Sequence, residues 1–297
     1  MELIVSISCI SYNQKQFIRT CIENILAQKT TFSIELVIHD DASTDGTKEI
    51  IEEYRNQYPD IIFPYFQTEN QYIKGVRGFM AKYNFPRCRG KYIALCEGDD
   101  YWTDPFKLQK QIDFLEANPE YSGCYHDTMV HYTNIDKQNH LFRDNLPMSM
   151  NAEDTISLFA PFHTSSFVFK KDCFTFQPFL RKVKSGDMAI FSIVSSKGLL
   201  GKVDGVMSVY RKHEGGITNS PTHNSTFHKD RILLTKYLNR FHRFKYRGKA
   251  NQIIAIRKKI IKEERIKKSI LLNVVRRLFW TSKRRIKNSL NKMKTAK

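Results

Sequence analysis

Short apolar runs alternate with segments of helical spacing in the first part of the chain. Four runs rich in apolar residues are predicted to be strands: Leu3–Ser8, Glu35–Ile38, Ile61–Phe66 and Tyr92–Cys96. Three segments between them are predicted to hold helices: Phe17–Ala27, Thr47–Tyr58 and, after a loop, the end of Gly75–Pro86. Strands that alternate with helices indicate βαβ units with right-handed crossovers. The pattern therefore predicts an α/β protein whose mostly parallel sheet is flanked by helices.

The alternation continues less regularly in the second part of the chain. Helices are predicted at Pro105–Asn118 and Met188–Ser196; strands are predicted at Tyr121–Tyr132, Ser165–Lys170 and Val203–Tyr210; a loop is predicted at Leu141–Glu153. Polar turn residues from Pro221 to Phe227 precede a shift in charge. We expect a boundary there, between a globular domain over residues 1–227 and a basic helical extension over residues 228–297.

Positive charge is concentrated in that extension. The formal net charge is +18, yet residues 228–297 hold 24 Lys or Arg and 3 Asp or Glu, so the first 227 residues carry a net charge of −3. Such an imbalance points to an anionic partner such as a membrane surface, a nucleic acid or a charged glycan.

The cysteine usage and the apolar runs bound the cellular context. The six cysteines form no CxxC pair, and Cys9 and Cys96 lie inside apolar runs, which favours a reducing compartment over a disulfide framework. The N-terminus lacks the pattern of a signal peptide, and no apolar run reaches the roughly 18 residues of a membrane span. We therefore expect a cytoplasmic protein.

Polar residues follow three of the predicted strands. The groups are Ser11-Tyr12-Asn13, Asp40-Asp41, and Glu97, Asp99 and Asp100. In a parallel sheet the carboxyl ends of the strands share one edge, where such sheets bind nucleotides. Carboxylates crowded there repel one another unless a cation lies among them, and Mg²⁺ or Mn²⁺ prefers oxygen ligands. A metal–diphosphate site is therefore predicted; a polar turn after an edge strand is the alternative for the Asp-Asp pair taken alone.

Several other kinds of site are excluded by missing motifs. The sequence has no GxGxxG after its first strand, no P-loop, no zinc-ligand spacing and no GxSxG.

Three ordered motifs give the chain a family resemblance. They are Val5–Asn13 with Ala27-Gln28, Glu35–Thr47 with its Asp40-Asp41-Ala42-Ser43 core, and Gly90–Gln111 with Glu97-Gly98-Asp99-Asp100. Together they resemble family 2 glycosyltransferases, which have the GT-A fold. The likeness is dense over Leu3–Glu120 and thin through Ser185–Met188 and Tyr210–Gly216.

The resemblance implies inverting transfer of a sugar from a nucleotide diphosphate-sugar. It places Ser11 and Tyr12, with Asn13 beside them, at the nucleotide, and Asp41 at the imide of the base. It gives Asp99 the ribose or sugar and Asp100 the metal, Mn²⁺ or Mg²⁺. The family's strict Asp-x-Asp is replaced here by Glu-Gly-Asp-Asp, so Glu97 is a candidate to share the metal or contact the sugar.

Later residues receive paired interpretations. Asp187 stands where the family carries its catalytic base, and a helix N-cap is the alternative. His213 is a candidate for the metal or diphosphate, or else a surface histidine in a basic turn. Arg77 is a candidate to neutralise phosphate, and Trp102 either stacks on a sugar or packs in the core.

The last segment, residues 262–297, has a cationic amphipathic pattern. Ile266, Ile270, Val274 and Leu278 recur every four residues among Lys and Arg. Such helices lie on anionic bilayers, so an anionic membrane surface is the predicted partner. Packing of this stripe on the catalytic domain is the alternative. Specific nucleic-acid binding is not expected, because no nucleic-acid-binding module is recognisable.

The combined expectation is a metal-dependent glycosyltransferase peripheral to the cytoplasmic face of the cell membrane. It would take a nucleotide diphosphate-sugar, UDP-linked by preference, and glycosylate a glycan or lipid-linked acceptor. Two rivals belong to other classes. One is a phospho-acceptor receiver with a flavodoxin-like sheet; the other is a non-catalytic module of the same fold, tethered to a membrane or polyanion.

Overall fold

A mixed sheet forms the centre of the protein. The computed structural model describes residues 2–134, 136–216, 225–267 and 269, and within these ranges ten strands join in one sheet, with the order β3-β2-β1-β4-β9-β6-β10-β5. β7 pairs with β6 and β8 pairs with β10, off this path.

The first half of the sheet is parallel, as the alternation predicts. Its elements in chain order are β1 (Leu3–Ser11), α1 (Ile18–Leu26), β2 (Ser33–Asp40), α2 (Thr47–Gln57), β3 (Ile62–Phe66) and β4 (Tyr92–Glu97). β1 pairs in parallel with β2 on one side and with β4 on the other, and β2 pairs in parallel with β3. Before β4, a short π-helical turn (Met80–Asn84) and a 3₁₀ turn (Phe85–Arg87) occupy the predicted short helix.

The second half introduces antiparallel pairs. Its elements are β5 (Tyr101–Trp102), α3 (Lys107–Ala117), β6 (Tyr121–Tyr132), β7 (His140–Leu141), β8 (Ser149–Met150), α4 (Ala152–Thr155), β9 (Val168–Lys170), α5 (Gly186–Val194) and β10 (Leu199–Lys212). β9 lies antiparallel between β4 and β6, whereas β10 runs parallel to β6. The predicted loop at Leu141–Glu153 thus contains short elements, and the predicted strand at Ser165–Lys170 begins as a 3₁₀ turn over Thr164–Ser166.

Two apolar clusters fill the two sides of the sheet. Helices α1 and α3 contribute to one cluster; α1 buries Ile18, Cys21, Ile22 and Ile25, which follow the 3.6-residue period. The other cluster centres on α5, whose residues Met188–Val194 are all buried. A helix apolar all round belongs inside a core, so α5 is enclosed by its neighbours.

The C-terminal helices provide part of that enclosure. α6 spans Ser225–Phe241 and α7 spans residues 247–267. Leu234, Leu238 and Ile253 lie in the α5 cluster, and Ser192 Oγ is 2.9 Å from His242 Nε2. Over the described residues the core therefore includes helices that follow residue 228, whereas the predicted boundary at 221–227 lies mostly outside the described residues and stays a prediction.

The predicted amphipathic segment lies almost wholly outside the described residues. Of 262–297 only 262–267 and 269 are described, so the stripe that begins at Ile266 stays a prediction. None of the helices in the described ranges combines the length and the apolar composition that a bilayer crossing requires.

Candidate active site

The strand register brings the three polar groups to one edge of the sheet. Ser11 pairs with Asp40 across β1 and β2, and Ile10 pairs with Glu97 across β1 and β4. A cavity of about 580 Å³ opens at this edge. Most of the predicted donor and metal residues line it: Ser11, Tyr12, Asn13, Asp41, Glu97, Asp99 and His213.

Hydrogen bonds tie the loop after β1 to the loop after β2. The Ser11 hydroxyl donates to Asp40 Oδ1 at 2.9 Å, and Asn13 Oδ1 accepts the Thr44 N–H at 2.9 Å. Asn13 has a φ of 50°, a left-handed conformation that Asn tolerates better than most residues. Tyr12 lies in the loop after β1, and 42% of its surface is exposed. Its ring can therefore contact a ligand.

Asp41 holds a neighbouring loop with both of its oxygens. Oδ1 accepts the Gln71 N–H at 2.8 Å and Oδ2 accepts the Tyr72 N–H at 3.0 Å. Burial raises the pKa of Asp41, and these two N–H groups partly oppose the rise. Asp41, the carboxylate predicted to bind the nucleobase, thus also fixes the position of this loop.

Arg77 completes the same loop. Its guanidinium donates to the carbonyls of Tyr72, at 2.9 Å, and Val76, at 2.6 Å, and lies 4.2 Å from the Tyr72 ring centroid. Arg77 is not among the residues that line the cavity. The structure therefore places it behind the wall, where it shapes the loop, and not at a phosphate position.

Aromatic rings form the wall beside Asp41. His39 stacks on Tyr83 with 4.8 Å between ring centroids, and Tyr72 and Phe79 line the cavity with it. Burial, and then the charges of Arg87 and Lys82, lower the pKa of His39 to about 4. The imidazole is therefore neutral at physiological pH and adds a flat, uncharged surface.

Three carboxylates converge beneath the cavity. Asp100 is fully buried; its Oδ1 accepts the Arg211 N–H at 3.0 Å, while its Oδ2 has no hydrogen-bond partner among the described residues. Burial, then Asp99 and Glu97, raise the pKa of Asp100 well above its usual range. Burial, then Asp99 and Asp187, likewise raise that of Glu97. Carboxylates this close together repel one another, so a cation among them would stabilise their charged forms.

These residues fit a divalent cation. One ligand atom from each of Glu97, Asp100 and His163 lies within 4.8 Å of the others. Burial lowers the pKa of His163 to about 3, so its imidazole is neutral, as a metal ligand must be. The unpartnered Asp100 Oδ2 is 3.8 Å from His163 Nδ1. The two carboxylates suit Mn²⁺ or Mg²⁺, and the imidazole adds a nitrogen donor that Mg²⁺ seldom takes.

His213 lies on the other side of the acids from this cluster. Its Nε2 is 3.2 Å from Asp99 Oδ2, and its ring packs on Phe17 with 4.4 Å between centroids. It lines the cavity, so it is no ordinary surface histidine.

Gly98 permits the close approach of β4 to the first loop. A Cβ at this position would lie 2.4 Å from Gln14 Oε1 and 2.9 Å from Ile18 Cδ1. Glycine at position 98 therefore avoids a steric clash with Gln14 and Ile18.

Asp187 lies in the first turn of α5, at the second helical position. Ser185 occupies the N-cap position, so Asp187 does not cap the helix. The preceding Gly186 approaches Gly78, beside the cavity-lining Phe79. The charge of Asp187 contributes to the raised pKa of Glu97, so the two carboxylates are close enough to interact, although Asp187 is not among the residues that line the cavity.

The position of Trp102 contradicts the prediction that its ring contacts a sugar. It is 1% exposed, its indole N–H donates to the Ser165 carbonyl at 3.0 Å, and Lys107 Nζ lies 4.1 Å from its ring centroid. β5 pairs antiparallel with β10, and this turns the ring into the core. The alternative interpretation, core packing, is the observed one.

Arg211 is a site residue that the sequence interpretation missed. Its guanidinium lies 5.3 Å from the Phe17 ring centroid and 4.3 Å from that of Tyr101, donates to the Asp99 carbonyl at 3.2 Å, and lines the cavity. His163 was missed as well. The thin resemblance over Tyr210–Gly216 was the available signal for Arg211, whereas no motif marks His163.

Comparisons with known proteins agree with this geometry. A family model described as Glycosyl transferase family 2 matches residues 6–192. An uncharacterised protein of Mycobacterium tuberculosis is 34% identical over 225 residues, which cover 73% of this chain and 61% of that protein. The chain thus spans about three fifths of that relative's length. The Escherichia coli UDP-Glc:alpha-D-GlcNAc-diphosphoundecaprenol beta-1,3-glucosyltransferase WfaP is 37% identical over 128 residues, covering 42% of this chain and 47% of that protein.

Solved structures show the same fold at low sequence identity. A Staphylococcus aureus TarS fragment in complex with UDP-GlcNAc has a TM-score of 0.59 and 17% identity, covering 86% of this chain and 71% of that one. A mannosyltransferase from Pyrobaculum calidifontis in complex with GDP-Man and Mn²⁺ has a TM-score of 0.56 and 16% identity, covering 80% and 64%. These likenesses establish the GT-A architecture, in place of a flavodoxin-like receiver.

Proposed function

Since this chain belongs to glycosyl transferase family 2, we propose that it transfers a sugar, with inversion, from a UDP-linked donor to a hydroxyl of a glycan or lipid-linked acceptor. The observation that carries the proposal is the convergence of Ser11, Asp41, Glu97 and Asp99 on one cavity, with Asp100 buried next to Asp99. Two similar proteins support the donor and acceptor class: TarS was solved with UDP-GlcNAc, and WfaP is named for UDP-Glc and a diphosphoundecaprenol acceptor. Such a reaction belongs to the synthesis of cell-surface polysaccharide or glycoconjugate.

The donor would lie along the cavity from the aromatic wall to the acids. Tyr12 and Asp41 line the end of the cavity where the nucleobase is expected. Ser11 and Asn13 form the hydrogen bonds that connect the two loops at this end. Arg211, with Lys15 and Lys212, brings positive charge into the cavity, where a diphosphate needs it. Asp99, held by His213, faces the ribose or sugar.

Asp100 and Glu97, with His163, would hold the divalent ion. When bound, Mn²⁺ or Mg²⁺ stabilises the negative charge on the departing diphosphate. His213 lies at Asp99, outside that cluster, and is better placed to meet the diphosphate.

Asp187 is the proposed general base. An acceptor hydroxyl is a weak nucleophile, so a carboxylate must take its proton during attack on the anomeric carbon. Attack opposite the leaving diphosphate inverts the anomeric centre. The N-terminus of α5 stabilises a negative charge on Asp187 and fixes its position.

The test pairs donor binding with turnover. Purified protein with Mn²⁺ is screened against UDP-sugars for thermal stabilisation and for UDP release, first without and then with acceptor glycolipids. Asp187→Asn should lower transfer by about 10²- to 10⁴-fold and keep donor binding. Asp204→Asn, at an exposed acid of β10, serves as the matched control.

Three outcomes contradict parts of the proposal. If no UDP-sugar stabilises the protein with metal present, the donor assignment is wrong. If Asp187→Asn matches the control in transfer, Asp187 is not the base; and if neither protein transfers sugar although both bind donor, the non-catalytic module is the better interpretation.

If the acceptor is lipid-linked, the reaction takes place at a membrane, and we propose the cytoplasmic face of the cell membrane. Whether residues 262–297 contribute to membrane binding stays a prediction, because those residues are almost wholly undescribed.

A further inference from the structure

The turn between α6 and α7 has an unusual backbone. The Phe244 N–H donates to the Asn239 carbonyl at 2.7 Å, and the Arg243 N–H donates to the Arg240 carbonyl at 2.9 Å. This pair of bonds is the Schellman ending of a helix, in which Gly usually takes the left-handed position. Here Arg243 and Phe244 both have positive φ, 52° and 63°. Two consecutive residues of this turn therefore have a left-handed backbone conformation, which is strained for side chains other than glycine.

The turn leaves the side chain of Phe244 exposed to solvent. In a Schellman ending, an apolar residue at the Phe244 position commonly packs back on the last helical turn. Phe244 is instead 58% exposed. We call residues 240–247 the tip.

The sequence on both sides of Phe244 is rich in cations and has no acids. Between Arg231 and Lys262 the sequence has eleven Lys or Arg and no Asp or Glu. Five exposed cations lie on the tip or on the α6 face that leads to it: Lys236, Arg240, Arg243, Lys245 and Arg247. Within the described ranges none of these five forms an ion pair, and Leu233, 37% exposed, lies one turn before Lys236.

The opposite face of α6 is fixed to the core. Leu234 and Leu238 are buried, Tyr237 stacks on Phe179 with 5.4 Å between centroids, and Ser192 Oγ is 2.9 Å from His242 Nε2. The tip therefore projects from a rigid support, and its exposed side chains cannot collapse onto the protein without unpacking α6.

We propose that the tip docks on an anionic lipid bilayer, with Phe244 inserted between headgroups and the surrounding cations against lipid phosphates. An exposed aromatic ring ringed by Lys and Arg complements the apolar–anionic layering of that surface. A polyanion such as heparin would contact the cations and leave the ring exposed, whereas a bilayer contacts both. The inference goes beyond the proposed reaction and does not depend on it.

The experiment uses the full chain and vesicles of phosphatidylcholine, alone or mixed with phosphatidylglycerol. Phe244→Ser should weaken binding to the mixed vesicles by about tenfold, the effect of withdrawing one largely buried aromatic side chain. The matched control is Phe106→Ser, because Phe106 is 46% exposed and precedes α3, which packs in the cluster on the other side of the sheet from α5.

Charge reversal tests the second half of the proposal. Arg243→Glu with Lys245→Glu should weaken binding to mixed vesicles by about thirtyfold or more, since each cation near such a surface contributes on the order of 1 kcal/mol. Lys29→Glu with Lys48→Glu makes the same change in net charge at α1 and α2, and should have a smaller effect. Phe244→Trp reports insertion directly, through quenching by brominated lipid beyond that seen in Phe106→Trp.

The proposal is overturned if Phe244→Ser and Phe106→Ser bind the mixed vesicles equally, or if Phe244→Trp shows no added quenching. Loss of binding on charge reversal alone, with heparin competing fully, would identify a polyanion site instead. Because Phe244 is exposed, each variant should keep the melting temperature of the parent protein, which separates lost binding from misfolding.

Discussion

Replacement of Asp41 by Asn separates anchoring of the loop from binding of the nucleotide. Asp41 accepts one backbone N–H on each oxygen, from Gln71 and Tyr72. Asn keeps the shape but replaces one acceptor oxygen with an NH₂ group, which cannot accept, and removes the charge. One of the two N–H groups is then left facing a donor.

The size of the effect follows from those bonds. A hydrogen bond to a charged group contributes about 1.5–3 kcal/mol. Part of the loss is returned, because burial already disfavours the charged form of Asp41. We expect the loop to open about 1–2 kcal/mol more easily, which is roughly a 5- to 30-fold faster exchange of its amides.

Hydrogen exchange at Gln71 and Tyr72, measured with and without UDP, is the assay, and calorimetry gives the UDP affinity of the same samples. Asp60→Asn, at an exposed acid after α2, is the control. Asp41→Asn should speed exchange in the absence of UDP and weaken UDP binding together. Unchanged exchange with lost UDP binding would refute the anchoring argument and leave only direct contact with the base.

Three further predictions concern single residues. Arg211→Gln should weaken UDP binding by about tenfold and leave uridine binding unchanged in calorimetry, because one charge-assisted contact to the diphosphate is lost; equal loss for both ligands would contradict a diphosphate role. Gly98→Ala should lower the free energy of unfolding in urea by about 1–3 kcal/mol, since its Cβ would crowd Gln14 and Ile18; an unchanged midpoint would show that both side chains move freely. Burial lowers the pKa of Lys107 to about 7, whereas the unfolded chain keeps that proton to about pH 10.4, so the unfolded state binds more protons above pH 7 and stability rises with pH. Relative to Lys107→Met, which has the same thiols, the parent protein should gain about 1 kcal/mol of unfolding free energy between pH 7 and pH 8 in urea titrations; equal pH dependence in the two proteins would contradict the lowered pKa.

The parallel half of the sheet and its acidic edge were predictable because the signals are local. Each of β1, β2 and β4 is an apolar run that ends in polar residues, and parallel pairing alone then places Ser11, Asp40 and Glu97 together. No knowledge of distant contacts was needed for that conclusion.

The remaining site residues depend on contacts between distant parts of the chain. Asp100 meets Arg211 across 111 positions, and His163 reaches Asp100 from the turn before β9. Trp102 follows the acids directly, which suggested a ligand contact, yet two antiparallel pairings with β10 turn its ring inward. A single sequence contains the residues for these pairings but not the strand order that produces them.

The match to the family model ends at residue 192, but residues beyond it also support α5. Asp230 Oδ1 in α6 accepts the Lys184 N–H at 2.9 Å, three residues before the proposed base, and Leu234 and Leu238 close the apolar cluster behind it. α6, the helix that leads to the proposed lipid-facing tip, therefore also supports the position of α5 and of Asp187. We expect a substitution that displaces α6 to move Asp187 as well, so that the proposed membrane docking and the proposed turnover would both depend on this helix.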